Sequence, residues 1–426
     1  MIKMIEIILI GIFLSLTFLY ASWILICLIP MKKRKKMNFF PNLSIILPAH
    51  NEEEFIEDTL KSIFNADYPN KREIIVVNDG STDNTGKIVK KLIKKHSQIK
   101  LFNLKHQGKA SSLNFGMKHA KYGTLIFLDA DSSLGKNSLK ELVQPLADKK
   151  TAAVSGVIRA RTTKNPLTWF QDFEYLMTSG WRYVCEKINS VSVVPGFMAI
   201  EKQALEKIGG FSKDTLTEDF DFALNLKKAG YDIAMSTRAV IHTNVPNSLK
   251  KLLSQRFRWG RGTLQVVRKH SDMLFSKEFG LLGYYTFPTH IFWYIFSITY
   301  IPSVLYWMFN DYYRYFFSQN NVISWSVFEY FFKWFTSYGM FDLIYKTFIG
   351  TYQFNLVLLF TITSFILTNV FTLLVFFKLS KPSWRHLIVF FFLFPYNVLV
   401  IFIQSVSWLY EFNRKGKGLN RWDKNK

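Results

Sequence analysis

The chain has 426 residues, with 54 Lys and Arg against 31 Asp and Glu, which gives a formal net charge of +23. A hydrophobic fraction of 49% excludes a disordered basic protein, and two cysteines, Cys27 and Cys185, are too few for a disulfide framework or a zinc ribbon. Because 42 Phe accompany the positive charge, the composition favours a membrane protein with a basic cytoplasmic face over a soluble nucleic-acid-binding protein.

An uncharged apolar stretch near the start of the chain covers residues 7–30, which is long enough to cross the hydrocarbon core of a membrane. A run of Lys and Arg follows it at residues 32–36. A secretory signal peptide is the alternative, but its positive charges would precede the apolar stretch. The positive-inside rule therefore predicts an N-terminal transmembrane anchor over 1–31, with residues 32–36 in the cytoplasm.

Short β-branched runs alternate with amphipathic stretches through residues 42–246. This alternation predicts an α/β domain built from βαβ units, with a mainly parallel sheet whose ligands bind beyond the carboxyl ends of the strands. We predict strands at 43–49, 73–79, 99–104, 124–131 and 152–157, and helices at 52–66, 84–96, 108–121 and 137–148.

Acidic side chains lie at the ends of two predicted strands. Asp129 and Asp131 follow TLIFL, and such a carboxylate pair can hold Mg²⁺ or Mn²⁺, because these cations prefer oxygen ligands and keep positions open for substrate. Asp79 ends IIVVN, where its carboxylate can bind the base or ribose of a nucleotide. An exposed acidic turn and a plain Asp-Gly loop are the simpler interpretations of these two sites.

A second acidic cluster, Glu218 and Asp219, precedes an amphipathic run that continues to residue 230. Carboxylates at a helix N-terminus are favoured by the helix dipole, and Thr217 is a candidate N-cap, so helix capping is one interpretation. The other is that Asp219 acts as a general base, which accepts the proton of an attacking hydroxyl.

The region 247–278 reads as an amphipathic helix beside the membrane. In it Gln255, Arg258 and Trp259 share one helix face, where Arg258 can bind phosphate through its fork of donors and Trp259 can stack on a sugar. An interfacial helix with Arg and Trp at headgroup level is the alternative, and the two interpretations are compatible.

The lack of a side chain at Gly196 indicates either that another group, for instance an acceptor, comes close to the backbone there, or that the chain makes a simple turn. His242, at a strand end, is more often structural than a metal ligand.

The C-terminal region 279–412 is again apolar and aromatic, with candidate spans at 283–309, 353–377 and 387–411. The segment 325–350 carries four charged residues and is either a fourth span or an external amphipathic segment. The basic tail, 413–426, is expected in the cytoplasm, on the same side as the α/β domain. The chain must then cross the membrane an even number of times after the domain, which favours counting 325–350 as a fourth span.

Six motifs occur in order between these spans: PAHNEEEFIEDTL, NDGSTDNT, GKASSLNFG, FLDADS, TEDFD and QRFRW. Together they resemble the family 2 inverting glycosyltransferases, which have the GT-A fold. Among these the chain is most similar to the processive bacterial poly-β-1,6-N-acetylglucosamine synthases, relatives of hyaluronan and cellulose synthases. The resemblance covers about residues 42–270 by motif and the rest by the order of its spans.

The resemblance implies a role for each matching residue. Asp219 would be the catalytic base, with Glu218 beside it and Gly196 on the acceptor side. The uracil and ribose would be bound by Ala49, Glu52 and Asp79, and the nucleotide or its phosphates by Lys109 and Asp129. Asp131, together with Asp129, would coordinate Mg²⁺ or Mn²⁺. The pyrophosphate and the acceptor end would be bound by Gln255, Arg258 and Trp259.

The expected activity is transfer of a sugar, GlcNAc first among the candidates, from a UDP-sugar to the growing end of a β-linked polysaccharide at the cell membrane. A non-processive glycolipid glycosyltransferase, acting on a diacylglycerol- or ceramide-like acceptor, is the alternative. A membrane-anchored scaffold without activity is disfavoured because Asp129, Asp131, Asp219 and Arg258 are all present. The expected partners are the UDP-sugar, the polysaccharide or lipid acceptor, the bilayer and an accessory membrane subunit, and no nucleic acid.

Overall fold

The computed structural model describes residues 2–30 and 38–414, with side chains from residue 6 onward. The basic run 32–36 and the tail from residue 415 lie outside the described residues, so the topology predictions that rest on these charges stay predictions. Between the N-terminal helix and the C-terminal helices, the described residues form an α/β domain around a sheet of eight strands.

The sheet has the strand order β3-β2-β1-β4-β7-β6-β8-β5. Its first four strands are parallel, as predicted, whereas β7 runs antiparallel to β4 and β6, and β5 runs antiparallel to β8. The sheet is therefore mixed but mostly parallel. Its strands are β1 (Leu43–Ala49), β2 (Arg72–Asp79), β3 (Ile99–Leu104), β4 (Thr124–Leu128), β5 (Ser132–Leu134), β6 (Thr151–Ala160), β7 (Phe197–Glu201) and β8 (Asp232–Thr243).

Helices cover both faces of this sheet, and the apolar side chains of each strand are buried between them. The first of them buries Ile56, Leu60 and Ile63, which share one face at helical spacing. The helices of the domain are α2 (Ile56–Asn65), α3 (Thr85–Ile93), α4 (Lys109–His119), α5 (Ser138–Val143), α6 (Pro166–Lys187), α7 (Lys202–Lys207), α8 (Glu218–Lys228) and α9 (Leu249–Lys269).

Several elements of the domain have other bounds than predicted or no predicted counterpart, and two of them, β4 and α6, bear on the position of charged side chains. Strand β4 ends at Leu128 rather than at residue 131, because the chain turns there and the amide N–H of Ser132 donates to the carbonyl of Asp129 at 3.1 Å. The acidic pair therefore lies on the turn between β4 and β5. The long helix α6 has no counterpart in the prediction; it begins after Asn165, whose side chain accepts a hydrogen bond from the amide of Leu167.

In the part of the chain that the structure describes, four helices are long and apolar enough to cross a membrane: Glu6–Leu28, Leu282–Gln319, Leu356–Leu379 and Leu393–Asn413. They correspond to the four clear spans of the sequence. The helical elements outside the α/β domain are α1 (Ile2–Leu28), α10 (Phe287–Tyr315, preceded by a π-helical turn at Leu282–Thr286), α11 (Trp325–Phe335), α12 (Tyr338–Phe348), α13 (Leu356–Leu379), α14 (Trp384–Phe391) and α15 (Leu393–Asn413).

The segment 325–350 does not form the span that crossing parity favoured. It folds into α11 and α12, of 11 residues each, separated at Thr336 and Ser337. A helix of this length is about 16 Å long, roughly half of the hydrocarbon core. The charged side chains that interrupt this segment pair with one another, as in the contact of Lys333 with Glu329 at 2.8 Å.

Helix α15 lies along α9 of the α/β domain instead of pointing away from it. Near its start, the hydroxyl of Tyr396 donates to Glu174 on α6 at 2.5 Å. Near its end, Glu411 accepts from Arg261 at 2.6 Å and from Gln265 at 2.9 Å, both on α9. Both ends of α15 are thus held by the domain.

Candidate functional site

A cavity of about 570 Å³ opens where the carboxyl ends of β1, β2 and β4 face α4, α6, α8 and α9. Helices α10 and α15 contribute His290, Tyr294 and Gln404 to its wall. All of the residues that the sequence predicts for the site line this cavity: Ala49, Glu52, Asp79, Lys109, Asp129, Asp131, Gly196, Glu218, Asp219, Gln255, Arg258 and Trp259. The fold therefore brings together side chains that are up to 210 residues apart in the chain, from Ala49 to Trp259.

Lys109, the first residue of α4, connects two of the acidic motifs. Its Nζ lies 2.7 Å from Oδ1 of Asp129 and 3.3 Å from Oε1 of Glu218. Burial by itself would lower the pKa of Lys109, but the two carboxylates outweigh burial and raise that pKa above its ordinary value. Lys109 is therefore a fixed positive charge between the strand-end pair and the start of α8.

The Asp129–Asp131 pair has the chemistry of a divalent-cation site. Burial, followed by the neighbouring charge of Asp129, raises the pKa of Asp131 to about 6, and a bound cation would relieve both effects. Within residues 6–30 and 38–414 no three His, Cys, Asp or Glu side chains cluster as a complete metal site. The two carboxylates thus fit Mg²⁺ or Mn²⁺ that takes its other ligands from a phosphate or water.

His242 does not belong to this site. It lies in β8 with its side chain exposed, while its neighbours Ile241 and Thr243 line the cavity. Successive side chains of a strand point to opposite faces, so the Thr243 hydroxyl reaches Asp131, at 3.2 Å, and the imidazole of His242 cannot. The metal-ligand interpretation of His242 is wrong.

Asp79 has structural contacts that the sequence did not indicate. Its two carboxylate oxygens accept hydrogen bonds from the amides of Gln107 and Gly108, each at 2.8 Å, and Nδ1 of His106 lies 2.9 Å from Oδ2. Asp79 thereby holds the loop that leads into Lys109. A contact of Asp79 with a nucleotide stays a prediction.

The backbone at Gly196 is closely approached, as predicted, and the group that approaches it is the side chain of Asp129. A Cβ at this position would lie 2.3 Å from Oδ2 of Asp129. A side chain here would displace that carboxylate, so the absence of one at Gly196 sets the position of Asp129. Contact of Gly196 with an acceptor stays a prediction.

Asp219 lies in the first turn of α8 and faces the cavity. Burial, followed by the charge of Glu218, raises the pKa of Asp219 to about 6. Its Oδ1 accepts from the amide of Phe220 at 2.9 Å. The expected N-cap, Thr217, makes no capping hydrogen bond; its hydroxyl is buried against Gly262. Thr217 thus occupies the N-cap position of α8 as expected, but without a capping hydrogen bond from its side chain, and Asp219 has the pKa of a group that can exchange a proton near neutral pH.

Helix α9 delivers the predicted face to the cavity. Gln255, Arg258 and Trp259 all line it, and Nη1 of Arg258 donates to the carbonyl of Leu216 at 3.1 Å, just before α8. The position of the helix is set by a different face, which carries Arg256 and Arg261 into contact with α6 and α15. Whether α9 also contacts a membrane stays a prediction.

Arg256 is a key residue that the sequence analysis missed. Its side chain is fully buried, donates to both carboxylate oxygens of Glu174 at 3.1 Å and 2.7 Å, and lies over the ring of Trp259 at 4.3 Å. This pairing aligns Trp259 in the cavity. Glu174 is 82 residues away, and no local pattern links the two.

Arg182 on α6 is a second missed residue. It lines the cavity, is only 5% exposed, and donates to Ser179 Oγ at 2.9 Å. Its Nε is buried without a hydrogen-bond partner among the described residues. Burial lowers the pKa of Arg182 to about 10, so the guanidinium stays charged at neutral pH. It adds positive charge at the end of the cavity that faces α10.

Comparison with known proteins defines the class of this domain. Residues 44–209 match the family model described as "Glycosyl transferase family 2". A solved structure of the mannosyltransferase PcManGT from Pyrobaculum calidifontis, in complex with GDP-Man and Mn²⁺, superimposes with a TM-score of 0.58 at 21% identity, covering 87% of this chain and 99% of that one. This likeness confirms the predicted GT-A fold.

Curated relatives agree with the family model. The probable glycosyltransferase YdaM of Bacillus subtilis is 35% identical over 257 residues, which are 58% of this chain and 60% of that protein. The poly-beta-1,6-N-acetyl-D-glucosamine synthases of Staphylococcus epidermidis and Staphylococcus aureus are 34% and 32% identical, over 55% and 59% of their lengths. The matches thus span somewhat more than half of each relative. Residues 44–209 thus match the family 2 glycosyltransferase model, and the chain is similar to poly-beta-1,6-N-acetyl-D-glucosamine synthases over more than half of their length, in agreement with the sequence motifs.

Proposed function

We propose that the chain is a membrane-bound inverting glycosyltransferase that transfers a sugar from a UDP-sugar to the growing end of a β-linked polysaccharide. The observation that carries the proposal is the meeting, in one cavity, of a carboxylate pair, a separate carboxylate with a raised pKa and a guanidinium: Asp129 with Asp131, Asp219, and Arg258. These are the groups that a single displacement of a nucleotide diphosphate requires.

The donor binds at the strand-end half of the cavity. Ala49, Glu52 and Asp79 form its wall beside β1 and β2 and would contact the uracil and ribose. The diphosphate would lie between Lys109 and Arg258, whose positive charges stabilise the developing charge of the leaving UDP. A divalent cation held by Asp131 and Asp129 supplies further positive charge to that diphosphate when it is bound.

Asp219 is the base in this mechanism. It accepts the proton of the acceptor hydroxyl as the hydroxyl oxygen forms a bond to the anomeric carbon and the bond from that carbon to UDP breaks. The attack comes from the face opposite the leaving group, so an α-linked donor gives a β-linked product. A second carboxylate nucleophile is not needed.

The acceptor binds at the other half of the cavity, near Trp259 and Gly196. The indole of Trp259, stacked on Arg256, offers a flat apolar face that suits a sugar ring. GlcNAc is the proposed sugar because the Staphylococcus relatives are named as poly-β-1,6-N-acetylglucosamine synthases. Tyr294 and Gln404, which come from the apolar helices, line the direction in which a polymer would leave.

The proposed topology places the domain in the cytoplasm. Helix α10 starts at the domain, where His290 contacts Ser192 at 3.0 Å, and α13 ends at it, where Phe376 packs on Phe173 with ring centroids 6.0 Å apart. In the proposed topology α15 stays along α9 at the membrane surface, and α10 and α13 are the two crossings that follow the domain. Two crossings return the chain to the side from which it left, and this accounts for a cytoplasmic basic tail without a span at 325–350.

A donor screen on membranes that contain the protein tests the proposal. UDP-GlcNAc with Mg²⁺ or Mn²⁺ is expected to give a high-molecular-weight product whose linkage analysis shows β-linked GlcNAc. A product with a single sugar on a lipid would instead establish the glycolipid transferase. Turnover with other UDP-sugars but not UDP-GlcNAc would refute the proposed sugar and keep the transferase.

A further inference from the structure

A second cavity, of about 310 Å³, lies between the α/β domain and the connection from α13 to α14. Trp169 of α6 lines one side, and Ser380, Lys381, Ser383 and Arg385 line the other. It is separate from the glycosyltransferase site, with which it shares no lining residue. We call it the α13–α14 cleft.

Positive charge in the α13–α14 cleft exceeds negative charge. The single carboxylate among its lining residues, Asp172, is already engaged: Arg159 donates to it at 2.8 Å and 2.6 Å, and Nε2 of His386 lies 3.3 Å away. Lys381 and Arg385 have no carboxylate partner among the described residues. The cleft therefore presents two uncompensated cations.

Arg385 is held with its guanidinium at the cleft. The group lies over the rings of Trp169, at 5.5 Å, and Trp384, at 5.6 Å, and donates to the hydroxyl of Thr162. Its Nε is buried without a hydrogen-bond partner in the part of the chain that the structure describes. Stacking fixes the plane of the guanidinium, so the fork of donors is oriented before any ligand arrives.

The α13–α14 cleft follows directly on α13, a helix long and apolar enough to cross a membrane. The apolar helix α13 ends at Leu379, immediately before it, and Phe377 on its last turn is 80% exposed. Helix α14 starts at Trp384, which is 60% exposed, and then exposes 70% of Leu387. Exposed indoles and aliphatic side chains next to a basic cleft are typical of contact with lipid headgroups and the acyl chains below them.

We propose that the α13–α14 cleft binds the phosphate of an anionic phospholipid of the leaflet that faces the domain. Arg385 would hold the phosphate through two donors, and Lys381 would add a point charge. The acyl chains would lie against the exposed apolar side chains of α13 and α14. A negatively charged headgroup would neutralise Lys381 and Arg385, which have no carboxylate partner among the described residues. It would also anchor α6, which carries Glu174 and Arg182, to the membrane surface.

Native mass spectrometry of the full-length protein, purified from nanodiscs of phosphatidylcholine with added phosphatidylglycerol, tests this site without using transferase activity. The wild type is expected to retain phosphatidylglycerol in preference to phosphatidylcholine. Arg385→Gln should weaken that binding roughly tenfold, the size expected for loss of a charge-assisted contact. Lys381→Gln should weaken it less. Lys378→Gln is the matched control, because Lys378 is an exposed Lys one turn away that does not line the cleft.

Equal retention of phosphatidylglycerol by the wild type and by Arg385→Gln and Lys381→Gln would overturn the proposal, as would an equal loss in Lys378→Gln. Inorganic phosphate is the second probe: retention of phosphate by the wild type, with no preference for phosphatidylglycerol over phosphatidylcholine, would show a site for free phosphate instead of lipid. If Arg385→Gln does not fold, judged by thermal unfolding, the exposed Lys381 variant decides the outcome by itself.

Discussion

Replacement of Gly196 by Ala tests whether the close packing of Gly196 on Asp129 sets the geometry of the site. The new Cβ would lie 2.3 Å from Oδ2 of Asp129, whereas ordinary contact begins at 3.4 Å, so the carboxylate has to move by about 1 Å. That movement stretches the 2.7 Å contact of Asp129 with Lys109. Misplacement of a catalytic group by about 1 Å can cost roughly a hundredfold in rate, so kcat/KM for the sugar donor should fall by about that factor.

The assay is the release of UDP from UDP-GlcNAc by the purified protein in nanodiscs. Gly123→Ala is the matched control, because a Cβ at Gly123 meets nothing within 4 Å. It should leave kcat/KM unchanged, and both variants should unfold near the temperature of the wild type. A Gly196→Ala variant with kcat/KM within twofold of the wild type would refute the argument that this glycine positions Asp129.

Three further predictions rest on other parts of the structure. Asp219 must be unprotonated to act as a base, and its pKa is raised to about 6, so kcat/KM should fall about tenfold per pH unit below that value. Because burial raises this pKa on folding, protonation of Asp219 in acid does not itself unfold the protein. A flat profile of kcat/KM from pH 5 to pH 7 would contradict the role of Asp219 as the base. Glu174→Gln leaves the buried charge of Arg256 unpaired and should lower the free energy of unfolding by about 3 kcal/mol, measured by denaturant titration in detergent. A denaturant midpoint equal to that of the wild type would contradict this role of Glu174. A protease site added after residue 426 should be cleaved only when the protease is on the cytoplasmic side; cleavage from outside would mean that α15 crosses the membrane.

Much of the site could be predicted because its residues follow local signals. Asp79 and Asp129 come directly after buried β-branched strands, and parallel strands bring their carboxyl ends to one edge of the sheet. Asp219 starts an amphipathic helix, and Arg258 shares a helix face with Trp259. Each of these positions follows from the end of a strand or from helical spacing, and a few neighbouring residues in the sequence are enough to show either.

The remaining features depend on contacts between distant segments. The pairing of Arg256 with Glu174 joins α9 to α6, and Arg182 is buried where α6 packs on β6, and no spacing in the sequence encodes either contact. The break of the segment 325–350 into α11 and α12 is a further feature of this kind. Composition alone does not show that the helix breaks at Thr336, or that α15 is held at both ends by the domain.

The replacement of Asp219 by Asn tests the central claim most directly. Membranes with the wild-type protein, labelled UDP-GlcNAc and Mg²⁺ or Mn²⁺ should form β-linked polymer, and Asp219→Asn should form at least about a hundredfold less, because Asn cannot accept the proton. The exposed Asp58→Asn variant should match the wild type. Polymer formation by Asp219→Asn at the wild-type rate would contradict the account.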